Sequence, residues 1–237
     1  MAVPNSMEMN RTGGSTSFLD KHSNLFVKRN NTSVCCEANT EFLISTTENT
    51  SNFLYYAIED TSCCIRFFCS ASRPFTITVS DGGAPGGSPL TYNERFFRCP
   101  ACECKCCCYQ EIQVRDGANA PVGAIVEDMW FCVPMFKVND ASGNHQYNLH
   151  QPTCCGGMCV DCCAEGCCNC RIPFYVFEPG KQATGEQCGS ITNFPPTAFP
   201  PQFEMHFPPG ADSNTKATLL GGTFLLNQLL FRIDLND

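Results

Sequence analysis

The sequence predicts an all-β domain, built as a barrel or a sandwich, with a single helix near its C-terminus. The first observation is a series of short segments rich in β-branched and aromatic residues, several of which alternate between apolar and polar residues. The second is the separation of these segments by Gly and Pro, as in the glycine-rich stretch 82–87. The third is an apolar run, Thr218–Phe231. A chain of 237 residues suits one large domain of this kind.

Seven segments are predicted to form strands. The alternation is clearest in Phe75–Val79 and Ile112–Val114, where polar residues separate apolar ones as they do on a half-buried sheet. Many short strands at this spacing are typical of a barrel or a sandwich. The predicted strands are Phe42–Ser45, Phe53–Ile58, Phe75–Val79, Tyr109–Val114, Val122–Val126, Phe136–Val138 and Phe174–Phe177.

The apolar run near the C-terminus predicts a helix from about residue 215 to residue 232. Its strongly polar side chains are limited to Asn227 and Gln228. A helix that crosses a bilayer needs about 20 apolar residues, whereas this run is shorter and is followed by Arg232 and Asp234. We therefore expect a helix buried in the core of the domain, with a membrane span as the alternative.

Two segments lack the strand pattern. Residues 1–38 are polar and are predicted to form a flexible N-terminal arm with a short ordered stretch near Leu25–Val27, so that the domain would span residues 39–237. The stretch Pro195–Pro209 holds too many prolines for a regular helix or a central strand, which predicts an extended connector. A polyproline ligand for a protein partner is the alternative interpretation.

The charge and the N-terminus limit the classes of function. A formal net charge of −8 argues against sequence-independent binding to nucleic acid, and equally against docking on anionic lipids by charge alone. Met1–Asn10 lacks the basic and apolar regions of a signal peptide, which predicts a cytosolic setting where thiols stay reduced. The four histidines lie outside any catalytic motif, so we expect no covalent catalysis.

Cysteine is strongly over-represented, with 21 residues. The densest run extends from Cys99 to Cys108, and a second cluster extends from Cys154 to Cys170. Two thiols separated by two residues are typical zinc ligands. This spacing occurs in three pairs, Cys99 with Cys102, Cys159 with Cys162, and Cys167 with Cys170.

S-acylation explains the dense run better than zinc, because a zinc site needs only four ligands. Each acyl chain contributes about 0.8 kcal/mol per buried methylene, so several chains would hold an acidic protein at a membrane. Zinc remains the alternative for the two clusters. Isolated thiols are more often small buried apolar groups, which we expect of Cys63, Cys64, Cys132 and Cys188.

Several motifs resemble the phospholipid scramblase family. They follow one another in the order and spacing of that family, and they extend the resemblance over about residues 41–231. The motifs are Glu59–Arg66, Ser72–Thr76, Arg98 with the cysteine run that follows it, Tyr109–Ile112 and Pro121–Gly123.

The resemblance implies a Tubby-like closed antiparallel β-barrel of about 12 strands around the apolar helix. It also implies ATP-independent, bidirectional movement of phospholipids between bilayer leaflets, activated by calcium, at the cytosolic face of the plasma membrane. A palmitoylated, membrane-tethered interaction module without lipid transport is the alternative, because a fold alone does not determine function. In both cases the partner is a phospholipid membrane, and no nucleic acid is expected.

The resemblance also implies site residues. The calcium segment of the family corresponds to residues 199–212, but proline and glutamine replace its early acidic residues, and the remaining carboxylates are Glu204 and Asp212. We therefore expect weak calcium binding or none, because calcium takes 6–8 oxygen ligands. By position, the palmitoylated run corresponds to Cys99, Cys102, Cys104, Cys106, Cys107 and Cys108.

Overall fold

A computed structural model of the protein describes residues 15–30, 39–48, 51–69, 72–99, 104–105, 107–163, 171–181, 185–194 and 202–231. Within these residues the chain forms sixteen strands and two α-helices. The strands are β1 (Asn24–Asn30), β2 (Glu41–Ser45), β3 (Tyr55–Asp60), β4 (Phe75–Asp81), β5 (Pro89–Arg95), β6 (Cys104–Lys105), β7 (Glu111–Asp116), β8 (Pro121–Glu127), β9 (Trp130–Phe131), β10 (Met135–Asp140), β11 (His145–His150), β12 (Thr153–Cys154), β13 (Cys159–Val160), β14 (Ile172–Phe177), β15 (Gln187–Asn193) and β16 (Gln202–His206). The helices are α1 (Cys63–Cys69) and α2 (Ser213–Leu230).

Twelve of the strands close into one antiparallel barrel, in the order β1-β16-β15-β14-β11-β10-β8-β7-β5-β4-β3-β2. Side chains alternate between the interior and the outer face, as on β4, where Phe75, Ile77 and Val79 are buried and Thr76 and Thr78 are half-buried. All seven predicted strands are present within two residues of their predicted bounds. The predicted Tubby-like architecture, a closed barrel with one C-terminal helix, is confirmed.

Helix α2 fills the barrel. Its residues from Lys216 to Gln228 are buried, and the ring of Phe224 lies 5.0 Å from the ring of Phe42 on β2. The helix begins directly after Asp212, whose side chain accepts a hydrogen bond of 2.8 Å from the backbone N–H of Thr215. The predicted buried helix is therefore confirmed. Among the described residues, no helix has both the length and the hydropathy needed to cross a membrane.

Two adjacent glycines, Gly221 and Gly222, bring α2 close to the barrel wall. A Cβ atom on Gly221 would lie 2.7 Å from Cγ2 of Val114 and 2.8 Å from Oδ1 of Asn93. A Cβ atom on Gly222 would overlap the side chain of Ile125. The lack of side chains at these two positions therefore sets how closely the helix packs against the strands.

The ordered stretch predicted near Leu25–Val27 is present, but the predicted boundary of the N-terminal arm at residue 38 is wrong. Residues 24–30 lie inside the predicted arm but form β1, which pairs with β16 and with β2 and so closes the barrel. Its interior face consists of Leu25 and Val27, and the polar residues that follow them obscured the strand pattern. Residues 1–14 and 31–38 of the predicted arm lie outside the described residues.

The predicted connector at Pro195–Pro209 contains a barrel strand, so the exclusion of a central strand is wrong. Strand β16 uses five residues that contain no proline, and it pairs with both β1 and β15. Phe203 and Met205 on this strand are buried in the core. Proline disrupts a sheet only where a ladder hydrogen bond is needed, and here the prolines flank the strand. Residues 195–201 lie outside the described residues.

The connections between barrel strands alternate between two ends of the barrel, because neighbouring strands are antiparallel. We name one end the cysteine end; it comprises the described residues of connections 31–40, 61–74, 96–110, 128–134, 151–171 and 194–201. We name the other the acidic end; it comprises residues 15–23, which precede β1, and the described residues of connections 46–54, 82–88, 117–120, 141–144, 178–186 and 207–212. Helix α2 therefore enters the barrel at the acidic end.

Candidate functional site

Cysteine is concentrated at one end of the barrel. Within the described residues, every cysteine except Cys188 belongs to the cysteine end. Cys188 lies on β15, where its partly buried thiol donates to the carbonyl oxygen of Val176 at 3.3 Å. The exposed cysteines are Cys64, Cys99, Cys107, Cys108, Cys132, Cys154, Cys155, Cys159, Cys162 and Cys163.

The prediction of buried thiols is wrong for Cys64 and Cys132. Cys64 lies on α1 and Cys132 follows β9, and both are exposed because these short elements lie outside the barrel wall. The side chain of Cys63 lies outside the described part of the structure.

The buried side chain of Gln110 forms hydrogen bonds with both ends of the predicted acylation run. The amide nitrogen of Gln110 donates to the carbonyl oxygens of Cys99 at 3.1 Å and of Cys108 at 3.2 Å. The amide oxygen of Gln110 accepts a hydrogen bond from the guanidinium of Arg95, and its backbone N–H donates to the carboxylate of Glu127 at 2.8 Å. Gln110 therefore fixes the two ends of the run, Cys99 and Cys108, against the barrel wall.

The predicted acylation cysteines differ in what the structure describes. Cys104 lies on β6, which pairs with β9 so that Cys104 stands opposite Phe131. Cys102 and Cys106 lie outside the described residues. Exposure makes a thiol accessible to an acyl donor, and the exposed members of the run are Cys99, Cys107 and Cys108.

A buried ion pair holds the connection that carries α1. The Nε and NH2 groups of Arg73 each donate to one carboxylate oxygen of Glu59, both at 2.8 Å. Burial of Glu59 opposes its ionisation, but the hydrogen bonds and charge of Arg73 outweigh this effect and lower the pKa of the carboxyl below its usual 4.5. Both residues belong to the motifs noted in the sequence, and the pair explains why those two motifs occur together.

The second cysteine cluster begins as a small hairpin in which Cys154 on β12 stands opposite Cys159 on β13. Desolvation and a hydrogen bond with Cys155 raise the pKa of the Cys154 thiol, and a hydrogen bond with Cys162 raises the pKa of the Cys163 thiol. The thiols of this cluster are therefore close enough to interact with one another.

In the part of the chain that the structure describes, no group of three or more His, Cys, Asp or Glu side chains is arranged to hold a metal ion. Both members of one predicted zinc pair, Cys159 and Cys162, are described and are exposed. Cys102, Cys167 and Cys170, which would complete the other pairs, lie outside the described residues. Zinc at the clusters therefore stays a prediction.

The two predicted calcium ligands have separate roles. Glu204 lies on β16, where its carboxylate is 3.0 Å from the Nε2 atom of His206. Asp212 caps α2 and lines a cavity of about 230 Å³ at the acidic end together with Asp140 from β10. The carboxylate of Asp140 already accepts hydrogen bonds from the turn after β10, including one of 2.9 Å from the backbone N–H of Asn144. Calcium at Glu204 and Asp212 therefore stays a prediction.

Three features of the site were not predicted from the sequence. They are the double hydrogen bond of Gln110, the ion pair between Glu59 and Arg73, and the exposed phenylalanines Phe68, Phe97 and Phe131. The first two pairings depend on how neighbouring strands pair, β3 with β4 and β5 with β7, which local periodicity does not show. For the phenylalanines the available signal was their position beside cysteines, since Phe131 precedes Cys132 and Phe68 precedes Cys69.

Comparison with known proteins shows one consistent similarity. A family model described as Scramblase matches residues 2–165. Phospholipid scramblase 1 of Rattus norvegicus is 32% identical over 181 residues, which covers 75% of this chain and 50% of the relative. Phospholipid scramblase 1 of Homo sapiens is 31% identical over 186 residues, covering 75% of this chain and 52% of the relative.

A second group of relatives agrees. Phospholipid scramblase 2 of Bos taurus is 31% identical over 185 residues, covering 76% of this chain and 58% of the relative. The chain thus spans about half the length of the curated relatives it matches. No solved structure matches the chain.

Proposed function

Because this chain belongs to the scramblase family, we propose that it moves phospholipids between the two leaflets of a bilayer without ATP and without covalent chemistry. The observation that carries the proposal is the family match over residues 2–165, which includes the cysteine run and the ion pair of Glu59 and Arg73. The curated relatives in turn bear the name phospholipid scramblase.

The structure restricts the route that lipids can take. Helix α2 occupies the interior of the barrel, and Leu220, Phe224 and Leu225 on it are fully buried. Protein interiors of this kind are close-packed, so no lipid passes along the barrel axis. Lipid movement therefore takes place in the bilayer beside the protein, or between copies of it, where an anchored domain disturbs the packing of head groups.

Acylation of the cysteine run would hold the chain at the cytosolic face of a membrane, in our proposal the plasma membrane. Stable anchoring takes two signals, and a single acyl chain gives only marginal binding. Replacing Cys99, Cys102, Cys104, Cys106, Cys107 and Cys108 with Ser should release the protein from cell membranes, as should cleavage of thioesters by hydroxylamine. Tightly held zinc that disappears in the same variant would instead favour the metal alternative.

Reconstitution into liposomes tests the lipid transport directly. Purified full-length protein, incorporated into vesicles that carry a fluorescent phospholipid in both leaflets, should make the inner-leaflet label accessible to a membrane-impermeant reductant. Protein-free vesicles and vesicles with unfolded protein are the controls. Equal protection of the inner label with and without folded protein, in the presence and absence of calcium, would contradict the proposal.

A tethered interaction module is the second candidate, and the plugged barrel favours it because the interior offers no lipid pathway. Membrane attachment without any lipid movement in the liposome assay would support it. A protein partner of the proline-rich stretch would have to bind outside residues 202–206, because these form β16 inside the barrel wall.

A further inference from the structure

In the described part of the chain, the most exposed large apolar side chains lie at the cysteine end. Among the described residues, the large apolar side chains that are more than half exposed are Phe68, Phe97, Met129, Phe131 and Met158. Phe68 is 79% exposed and Phe131 is 65% exposed. Single exposed apolar residues are ordinary, but a set of them at one end of a domain marks an interaction surface.

These side chains come from four separate connections of the barrel. Phe68 lies on α1 between β3 and β4, and Phe97 follows β5. Met129 and Phe131 lie between β8 and β10, and Met158 lies in the hairpin of β12 and β13. The antiparallel order of the barrel places all four connections at the same end, so a single flat partner can meet all of them at once.

The acidic end has the opposite character. Strands β4, β7 and β10 finish there on Asp81, Asp116 and Asp140. Basic side chains are fewer: Lys181 is paired with Glu178 at 2.8 Å, and Lys21 precedes β1 at this end. An anionic lipid surface repels such an end and favours an orientation in which it faces away.

We propose that the cysteine end is the membrane-docking face of the protein and that Phe68, Phe97 and Phe131 insert into the interface of a phospholipid bilayer. Aromatic and apolar side chains bind at this interface through the apolar area they bury there, without any covalent lipid. Exposed thiols stand beside them on the same connections, for example Cys99 beside Phe97 and Cys132 beside Phe131. The inserted side chains thus supply a second contribution to membrane anchoring, in addition to the acyl chains. The choice of a phospholipid bilayer as the partner rests on the proposed function, whereas the choice of the cysteine end as the surface rests on its exposed side chains.

The single tryptophan of the chain is a built-in probe of this face. Trp130 lies on β9 directly before Phe131, and it is half-buried with its indole N–H donating to Glu127 at 2.7 Å. Full-length protein produced in bacteria, and therefore not acylated, should bind vesicles of phosphatidylcholine with a minor share of phosphatidylserine. Brominated phosphatidylcholine in these vesicles should quench Trp130. A second protein, the relocated-probe variant Trp130→Phe with Ala118→Trp, carries its only indole at the acidic end and should not be quenched.

A matched pair of triple variants tests the three side chains. Phe68→Ser, Phe97→Ser and Phe131→Ser together should lower vesicle binding at least tenfold, whereas the corresponding triple change to Leu should retain it. Both triple variants should keep the thermal midpoint of the parent, because these side chains are exposed. Unchanged vesicle binding by the Ser variant, or quenching of the relocated-probe variant with none of the parent, would overturn the assignment.

Three further outcomes have clear meanings. Self-association that the Ser changes abolish, with no binding to vesicles, would assign the face to a second copy of the chain and overturn the lipid assignment. If the protein binds vesicles through this face but moves no lipid in the reconstituted system, the proposed transport is contradicted and the docking face is supported. If acylated protein with the Ser changes still moves lipids and still binds vesicles as the parent does, the docking face is wrong, but the proposed transport is not.

Discussion

Arg73 and Glu59 meet in two parallel hydrogen bonds of 2.8 Å, with their side chains only 5% and 3% exposed. Removing one partner of such a buried pair leaves an uncompensated charge, whereas replacing both with apolar residues is close to neutral. We predict that Arg73→Met lowers the free energy of unfolding by about 3–5 kcal/mol. The double change Glu59→Met with Arg73→Met should recover most of this loss in urea denaturation.

An exposed pair provides the control for this prediction. Lys137 and Asp128 form a salt bridge of 2.7 Å in which both side chains are about 40% exposed, so Lys137→Met should cost about 0–1 kcal/mol. Equal losses for Arg73→Met and Lys137→Met would show that burial adds nothing to the pair.

The same pair predicts a dependence of stability on pH. The pKa of Glu59 is lowered in the folded state, because the hydrogen bonds and charge of Arg73 outweigh the effect of burial. Its stabilising contribution is therefore fully present above the usual pKa of 4.5 and is lost as the pH falls through the lower folded value. Urea denaturation from neutral pH to acid should show a smaller acid loss for the Glu59→Met and Arg73→Met double variant than for the parent. Identical acid losses in both proteins would contradict this assignment.

Gln110 provides the next prediction, since its single amide fixes both Cys99 and Cys108. Gln110→Leu keeps the side-chain size but leaves buried hydrogen-bonding groups without partners, at a cost of about 1–3 kcal/mol. Backbone amides in the connection between β5 and β7 should then exchange hydrogen faster, as measured by mass spectrometry. Gln113→Leu, on the outer face of β7, is the control and should leave this exchange unchanged. Equal exchange rates in both variants would show that other contacts hold the loop.

Most of the strands with an apolar interior face could be predicted from the sequence, except where flanking polar residues or prolines hid that face, as in β1 and β16. Strand β5 was missed for another reason, because its buried interior positions are Thr91, Asn93 and Arg95. Asn93 donates to the carbonyl oxygen of Ile77 at 3.1 Å, and Arg95 donates to Gln110. Such polar side chains are held in the interior by hydrogen bonds to tertiary neighbours, and these neighbours cannot be identified from local periodicity.

The candidate site was predictable in part for a related reason. The run from Cys99 to Cys108 is recognisable from its density alone. It could not be predicted that Cys64 and Cys154 belong to the same end. The end at which a connection lies depends on the number of barrel strands that precede it, and this number is wrong when β1, β5 and β11 are not recognised.

Helix α2 permits a direct comparison of a buried and an exposed leucine. Leu226 is 1% exposed and Leu230, one turn later, is 42% exposed. Leu226→Asp places a carboxylate in the core and should prevent the domain from folding, since an unpaired buried charge costs several kcal/mol. Leu230→Asp should fold with nearly the parent thermal midpoint. A folded Leu226→Asp protein that has lost only its membrane binding would identify α2 as a membrane anchor instead.

Calcium provides the last prediction. A calcium ion requires 6–8 oxygen ligands, yet Glu204 already lies 3.0 Å from His206 and Asp212 already accepts the capping hydrogen bond of Thr215. With two carboxylates that are both engaged, we expect a dissociation constant of about 10⁻⁴–10⁻³ M, so that lipid movement is nearly independent of micromolar calcium.

Titration calorimetry on the parent protein measures this constant. Asp212→Asn is the informative variant, because asparagine also caps helices and so removes a charge without removing the cap. Asp212→Ala should instead lower the free energy of unfolding by about 1 kcal/mol whether or not calcium is present, because it removes the cap. Micromolar binding that disappears in both Asp212→Asn and Glu204→Gln, at unchanged stability, would show that these two carboxylates suffice for a tight site.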